Sequence, residues 1–284
     1  MHTGFVFCAH GPILDYMERM TLSSDLNRPS KSVANPACFV ILAFLGMWSL
    51  PFGISVAAES TNSPPRYETR SAHDPNGIGK FYMGREIAHV MGHDGGGAEW
   101  LERSEREREE QPQLLMKALK LKEGDAVADI GAGTGFYSRR LAKAVGEKGT
   151  VYAVEIQQEM LDDLTNKMAE LNIHNVKPVL GTITDPHLAA ESVDLIFMVD
   201  VYHEFDHPYE MVQAMTRTLK PQGRMVFVEF RGEDPKVPIK AVHKMTEAQV
   251  RKEMAVQRLK FVEANETLPW QHVFIFQKDA ETKL

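Results

Sequence analysis

From residue 113 onward the chain alternates between short apolar runs and amphipathic segments. Six apolar runs bounded by turn residues predict buried strands. They lie at 125–133, 149–156, 176–183, 192–202, 224–230 and 272–278. Segments with apolar positions three and four residues apart predict helices between them. They lie at 113–121, 136–145, 158–171, 208–220 and 246–258. This alternation predicts an α/β fold, in which a mostly parallel sheet carries helices on both faces.

The chain before this α/β domain of residues 113–284 divides into three segments. Residues 1–58 form a leader. Residues 59–80, which are rich in Pro, Ser and Asn, predict a flexible linker. Residues 81–112 end in a run of dense mixed charge and predict a helical lid on the domain, with a plain solvated helix as the alternative.

The leader has the order of a secretory signal peptide. Arg28 and Lys31 precede an uncharged apolar run that ends in small residues before Glu59. The run is also long enough to be retained as a single membrane anchor. We therefore expect an exported or periplasmic protein, or one that contacts a membrane through this leader. The residues before Arg28 make the leader unusually long, so Met20 is an alternative start. If the start is misassigned, the protein is cytoplasmic.

The net charge and the cysteine content exclude several kinds of function. The net charge is -7, and Lys and Arg are spread through the chain, so the basic patch of a nucleic-acid binder is not expected. The only cysteines, Cys8 and Cys38, lie in the leader. A chain cleaved after the leader has no thiol for catalysis, disulfides or zinc binding.

A glycine-rich loop follows the first predicted strand of the domain. It reads Asp-Ile-Gly-Ala-Gly-Thr-Gly over 129–135, and a predicted helix follows at once. Glycines suit a sharp turn from strand to helix where a ligand approaches the backbone. Dinucleotide-binding loops place the third glycine one residue later, where this chain has Phe136, so the loop does not fit an NAD or FAD site.

This loop resembles motif I of the class I S-adenosylmethionine-dependent methyltransferases, of the type-11 or ubiquinone-biosynthesis-like group. The resemblance covers about 113–278 and includes the Lys-Pro-Gln-Gly entry to the strand at 224–230. It implies a Rossmann-like, doubly wound sheet of seven strands. It also implies S-adenosylmethionine as cofactor, bound by Asp129, Gly131, Ala132, Gly133, Gly135, Glu155, Ile156, Thr182, Ile183, Asp200 and Val201.

In that family the acid before the glycines supports the loop and the amino-acid end of the cofactor, which implies this role for Asp129. Glu155 stands about twenty residues after the loop, at the end of the second strand, and would bind both ribose hydroxyls. Ile156 would pack on the adenine. The sequence departs from the family after the third strand, where an acid often binds the adenine amino group. Either Asp185 or the backbone of Thr182 and Ile183 would take that role.

The segment His-Glu-Phe-Asp-His at 203–207 fits the pattern by which zinc peptidases bind their metal. That pattern needs both histidines on one helix, whereas here a buried strand precedes His203 and Pro208 follows His207. We therefore expect no metal site. The resemblance instead places Tyr202 and His203 toward the methyl acceptor, with His203 as candidate base. The alternative is that His203 only bonds a loop and that His207 is a turn residue.

The sequence thus predicts a methyltransferase that acts on a small molecule or lipid. A non-catalytic S-adenosylmethionine-binding protein is the alternative, and a zinc peptidase is disfavoured. Because S-adenosylmethionine is a cytosolic metabolite, export of the domain conflicts with its cofactor supply unless the anchor holds the domain inside. The acceptor and the oligomeric state stay open.

Overall fold

A computed structural model of the protein describes residues 65–279, and its main element is a seven-stranded sheet. The strands of this sheet are β4 (Ala126–Ile130), β5 (Thr150–Glu155), β6 (Val176–Leu180), β7 (Val193–Val199), β8 (Leu219–Phe230), β9 (Leu259–Asn265) and β10 (Gln271–Lys278). Their spatial order is β6-β5-β4-β7-β8-β10-β9, and only β10 runs antiparallel to its neighbours. The predicted mostly parallel, doubly wound sheet is confirmed. Strand β9 is the one that the apolar pattern missed.

Seven α-helices lie within the described residues. They are α1 (Ala98–Leu101), α2 (Arg106–Glu109), α3 (Pro112–Ala118), α4 (Ser138–Val145), α5 (Gln158–Glu170), α6 (Pro208–Thr218) and α7 (Glu247–Met254). Helices α3 and α4 pack on one face of the sheet, and α6 and α7 pack on the other. The predicted helices of the domain are confirmed, and helical turns occupy part of the predicted lid.

The central strands are buried on both faces, which explains their continuous apolar runs. In β7, Leu195 and Phe197 point into the core below α3 and α4, while Ile196 and Met198 point into the core below α6 and α7. All four side chains are fully buried. At about 25 cal/mol for each Å² of apolar surface removed from water, such strands supply most of the driving force for folding.

The order of the strands fixes where a ligand can bind. The chain passes from β4 outward to β5 and β6, then returns to the other side of β4 to form β7. In open parallel sheets the connections diverge at such a point, which leaves a crevice beyond the carboxyl ends of the two strands. The glycine loop follows β4 and the His-Glu-Phe-Asp-His segment follows β7, so both border this crevice.

The prediction of a flexible linker over 59–80 is wrong for residues 65–80, which the structure describes. A second, three-stranded antiparallel sheet begins there. Its strands are β1 (Tyr67–Thr69), β2 (Gly77–Tyr82) and β3 (Arg85–Ala88). Met83 and Gly84 both have positive φ, 50° and 92°, and form the two-residue turn between β2 and β3. Tyr82 and Ile87 are buried, so two apolar side chains hold a segment whose polar composition suggested a loose arm.

Arg85 ties this small sheet to the main domain. Its guanidinium donates to both carboxylate oxygens of Glu253 in α7, at 2.8 and 3.1 Å, and to the carbonyl of His203 at 3.0 Å. The Glu253 side chain has no solvent exposure. The hairpin of β2 and β3 is therefore part of the folded domain.

The predicted leader over 1–58 lies outside the described residues. Within 65–279, none of the helices combines the length and the apolar character that a membrane crossing requires.

Replacing Arg85 with Ala is expected to lower the free energy of unfolding by about 3–5 kcal/mol, because the Glu253 carboxylate is then left buried without its cation. Denaturant unfolding measures the change. Lys167→Ala is the control, since Lys167 and Glu170 are both solvent-exposed and such pairs contribute about 1 kcal/mol at most. Adding Glu253→Gln to Arg85→Met should restore part of the stability. A loss no larger than that of the control would contradict this account of the buried pair.

Candidate active site

The glycine loop after β4 presents bare backbone to a cleft. Gly131 and Gly133 have positive φ, 68° and 53°. A Cβ on Gly131 would lie 2.4 Å from Cγ2 of Val201, and one on Gly133 would lie 2.6 Å from Cδ1 of Leu101. Both positions therefore require glycine for conformation and for space. Gly135 differs, because a Cβ there would meet Leu164 of α5, so its role is helix packing.

Glu155, at the end of β5, holds this loop in place. Its Oε2 accepts from the amide of Gly133 at 3.0 Å, and its Oε1 accepts from the amides of Ile156 and Gln157 at 2.7 and 3.1 Å. Burial raises the pKa of Glu155 although these three donors oppose the shift. A fixed carboxylate here joins the glycine loop to the start of α5.

Asp129, just before the glycines, bonds the helix that follows them. It is buried, and Oδ2 accepts from the hydroxyl of Ser138, the first residue of α4, at 2.6 Å. Burial raises the pKa of Asp129 to about 7, with Ser138 opposing the shift. Asp129 does not line the cleft, and its side chain bonds the first turn of α4. Ala132 and Gly135 likewise do not line it.

The cleft encloses about 850 Å³ of space between atoms, a volume that includes its open mouth. The structure brings most of the predicted cofactor residues together in its wall. These are Gly131, Gly133, Glu155, Ile156, Thr182, Ile183, Asp200 and Val201. Ile156 and Ile183 are among the exposed large apolar side chains, at 37% and 46%. Two exposed isoleucines that face one cleft indicate a site for a flat apolar group.

The region after β6 decides between the two predicted adenine partners. Asp185 does not line the cleft, and its carboxylate accepts from the amide of His187 at 2.8 Å. The amide of Thr182 donates to the carbonyl of Asp185 at 2.9 Å. Thr182 and Ile183 line the cleft, so the geometry favours the backbone around Ile183 over the carboxylate of Asp185.

Asp200 follows β7 and is strained. Its φ is 53°, an uncommon value for a residue other than glycine. Oδ2 accepts from Nε2 of Gln271 at 2.6 Å, whereas Oδ1 is shielded from solvent and has no hydrogen-bond partner among residues 65–279. Burial, followed by the nearby charges of Glu110 and Glu229, raises the pKa of Asp200. A shielded oxygen without a partner at the wall of a cleft indicates a ligand-binding group.

A second cavity of about 530 Å³ adjoins the first. The two share Met91, Leu101, Val199, Asp200 and Glu204 in their walls. The second is also lined by aromatic, cationic and imidazole side chains, namely Trp100, Arg103, Arg106, His203 and His243. The arginines are paired within the lid, because Nη2 of Arg103 and Nε of Arg106 each donate to Oε1 of Glu110, at 3.0 and 2.9 Å.

His203 lines the second cavity. Its Nδ1 lies 2.6 Å from Oε2 of Glu229, and its Nε2 lies 3.2 Å from Nδ1 of His243. Burial and His203 lower the pKa of His243 to about 3. Burial raises the pKa of Glu204 to about 7, against the opposing effect of His203.

The prediction that Tyr202 faces the acceptor is wrong. Tyr202 is fully buried in the core and lines neither cavity. Its hydroxyl donates to Glu253 at 2.6 Å, and its ring packs edge-on against Phe227. Residues Tyr202–Glu204 form a 3₁₀ turn, which sends neighbouring side chains in different directions. The sequence did not reveal this turn after the strand.

His207 contacts different residues from those that His203 contacts. It precedes α6, and its Nε2 lies 3.2 Å from Nζ of Lys80 in β2. The two histidines do not share a helix, because the 3₁₀ turn that holds His203 ends at Glu204. The two imidazoles therefore do not lie on one helical face, which the peptidase motif requires.

Residues of the predicted lid close the top of both cavities. Met91 and Leu101 line each of them. Gln157, just after β5, donates from Nε2 to the carbonyl of Met91 at 2.9 Å. Glu102 accepts from the hydroxyl of Thr134 in the glycine loop at 2.7 Å and from Arg139 at 2.7 and 2.9 Å. These contacts favour the lid over the plain solvated helix.

Several residues of the site carry no sequence signal that would have located them. Met91 belongs to an irregular segment, and His243 lies forty residues beyond His203. Glu229 is the exception, because it is a lone acid within the apolar strand β8. A fully buried acid needs a partner, and His203 is that partner.

Known proteins share this architecture. The family described as "Methyltransferase domain" matches residues 121–279, more than half of the chain. A crystal structure of a SAM-dependent methyltransferase from Aquifex aeolicus superposes with a TM-score of 0.62 at 26% identity, and the match covers 66% of this chain and 99% of that one.

Two curated relatives agree with this family. The malonyl-[acyl-carrier protein] O-methyltransferase of Halalkalibacterium halodurans is 27% identical over 171 residues, which cover 58% of this chain and 54% of that protein. The demethylmenaquinone methyltransferase of Listeria monocytogenes is 24% identical over 123 residues, which cover 43% of this chain and 51% of that protein. The chain thus spans about half the length of these relatives. The family match covers most of the α/β domain, and the Aquifex aeolicus structure superposes on the chain. The chain therefore belongs to the methyltransferase-domain family.

Proposed function

We propose that the protein is an S-adenosylmethionine-dependent methyltransferase whose cofactor binds in the first cleft and whose acceptor binds in the second cavity. The observation that carries this proposal is the wall that the two cavities share at Val199, Asp200 and Glu204. A ligand in each cavity would meet its neighbour at this wall. A protein that only senses the cofactor does not need the second cavity.

The residues of the first cleft fit S-adenosylmethionine. Gly131 and Gly133 line the cleft, and a side chain at either position would displace Val201 or Leu101 from the same wall. Oε2 of Glu155 accepts only from the amide of Gly133, so this oxygen keeps a lone pair that can accept from a ribose hydroxyl. Ile156 and Ile183 offer apolar surfaces for the adenine. When bound, the cofactor supplies a methyl group already activated by its sulfonium, so the protein contributes mainly positioning and exclusion of water.

The chain's own groups perform that positioning. Asp200 lies in the wall of both cavities, where its carboxyl group can bond a ligand. The lid shields this boundary from solvent through Met91 and Leu101. His203 is held by Glu229, which leaves the lone pair on its Nε2, and this nitrogen lies 3.2 Å from Nδ1 of His243 in the wall of the second cavity. As a base it would be needed only for an acceptor that must lose a proton.

For the acceptor we propose a small molecule or lipid. The named relatives act on demethylmenaquinone and on malonyl-[acyl-carrier protein], and the second cavity combines apolar with charged side chains. The proposal of export or membrane anchoring through the leader rests on the sequence alone.

Binding of S-adenosylhomocysteine, measured by isothermal titration calorimetry, tests the cofactor site. We expect micromolar affinity in the full chain. Glu155→Ala should weaken binding at least about tenfold, because it removes the charged acceptor of the cleft and the brace of the glycine loop. Glu159→Ala is the matched control, since Glu159 is an exposed residue of α5 four positions later. No binding by the native chain, or equal loss in the control, would contradict the site.

Transfer of a labelled methyl group into a bacterial extract of small molecules and lipids tests the activity. We expect a labelled product, and we expect Asp200→Ala to lower its formation by at least about tenfold, because the shared wall loses its polar group. Asp185→Ala is the control, since Asp185 lies outside both cavities. Cofactor binding without any labelled product, across extracts of diverse composition, would favour the non-catalytic binding protein.

A further inference from the structure

Three side chains of the kind that bind metal ions converge in the wall of the second cavity. They are His203 and Glu204, from the 3₁₀ turn after β7, and His243, from the 3₁₀ turn Ala241–His243. All three are buried, at 2%, 7% and 7% exposure. Buried imidazole and carboxylate groups that face one another are costly unless something satisfies their lone pairs.

The distances among these groups suit one ion. Nε2 of His203 lies 3.2 Å from Nδ1 of His243 and 3.9 Å from Oε1 of Glu204, and Nδ1 of His243 lies 3.7 Å from the same oxygen. The point equidistant from these three atoms lies about 2.1 Å from each, which is the length of zinc bonds to imidazole nitrogen and carboxylate oxygen. An ion displaced slightly from the plane of these three atoms toward the cavity keeps bonds of about this length. It then has a further coordination position on its cavity side.

The surroundings hold the three groups in the orientation that an ion needs. Glu229 lies 2.6 Å from Nδ1 of His203, which sets the tautomer that leaves the lone pair on Nε2. Glu229 is itself fixed, because its other oxygen accepts from the amide of Tyr202 at 2.9 Å. The amide of Met91 donates to Oε2 of Glu204 at 3.2 Å, so that Oε1 faces the imidazoles. A carboxylate behind a histidine ligand is the usual support of a metal site.

We propose that His203, Glu204 and His243 bind one divalent transition-metal ion, and that the ion has an open coordination position toward the second cavity. Two imidazoles and one carboxylate form the ligand set of many catalytic sites with an open position. His243 replaces His207 as the second histidine, so the ligands come from two turns of the fold and not from one helix. The site itself does not depend on the proposed methyl transfer.

A consequence that does rest on the proposed function concerns the acceptor. An ion in this wall would bind an acceptor through an oxygen or sulfur atom. We therefore expect phenols, thiols and carboxylates as acceptors in preference to plain hydrocarbons. With the ion bound, the lone pair of His203 Nε2 is used, and His203 is then a metal ligand in place of a general base.

The test is titration of chelator-treated full-length protein with Zn²⁺, against a competing chromophoric chelator, and with Co²⁺, followed by its visible absorption. We expect one ion per chain with at least micromolar affinity, and the absorption of a four- or five-coordinate Co²⁺ ion. His243→Ala should abolish the absorption and weaken Zn²⁺ binding at least about a hundredfold. Glu229→Gln should weaken it about 10–100-fold, as expected for a supporting group.

His207→Ala is the matched control, because His207 belongs to the same His-Glu-Phe-Asp-His segment but lies away from the three ligands. It should bind Zn²⁺ as the native chain does. Binding of S-adenosylhomocysteine reports that each variant is folded. If the native chain binds Zn²⁺ but not S-adenosylhomocysteine, the proposed function is wrong and the metal site stands. Absence of stoichiometric binding by the native chain, or equal affinity in His243→Ala, would overturn the proposal.

Discussion

The carboxylate of Glu155 accepts from three backbone amides, and the rest of the candidate site depends on this interaction. One amide belongs to the glycine loop after β4, and two belong to the start of α5. Glycines at positive φ gain freedom in the unfolded chain, so the loop needs such a constraint to keep one shape. Because the carboxylate lies at the end of β5, the strand order of the sheet fixes the loop in front of the cleft.

The lid depends on the same point. Gln157 follows Glu155 by two residues and bonds the backbone of Met91, while Glu102 bonds Thr134 within the glycine loop. The segment that covers both cavities is thus attached to the loop and to the end of β5. A change in the cleft can therefore reach the second cavity through the lid as well as through Asp200.

The sequence could predict what local patterns encode. Apolar runs buried on both faces predicted the central strands, and the loop with Glu155 predicted most of the cleft. Patterns failed where contacts between distant segments decide the structure. Tyr202 points into the core because Glu253 accepts from its hydroxyl, and Arg85 reaches the same carboxylate from β3. Likewise, the polar composition of 65–80 concealed β1 and most of β2, although β2 ends in the buried aromatic residues Phe81 and Tyr82.

The segment at 203–207 shows both outcomes. Its spacing resembles a peptidase motif, yet the 3₁₀ turn separates His203 from His207. The same turn brings His203 and Glu204 to His243, a residue that no sequence spacing connects to them. The wall of the second cavity therefore depends on contacts between distant segments. The wall of the first cleft comes largely from one loop and one strand end, which the sequence pattern reveals.

A crystal structure of the full chain with S-adenosylhomocysteine tests the central claim most directly. We expect the ligand in the first cleft, with its ribose hydroxyls at the carboxylate of Glu155, its adenine between Ile156 and Ile183, and its sulfur toward Asp200 and the second cavity. A ligand bound elsewhere, or one whose sulfur points away from the shared wall, would contradict the account.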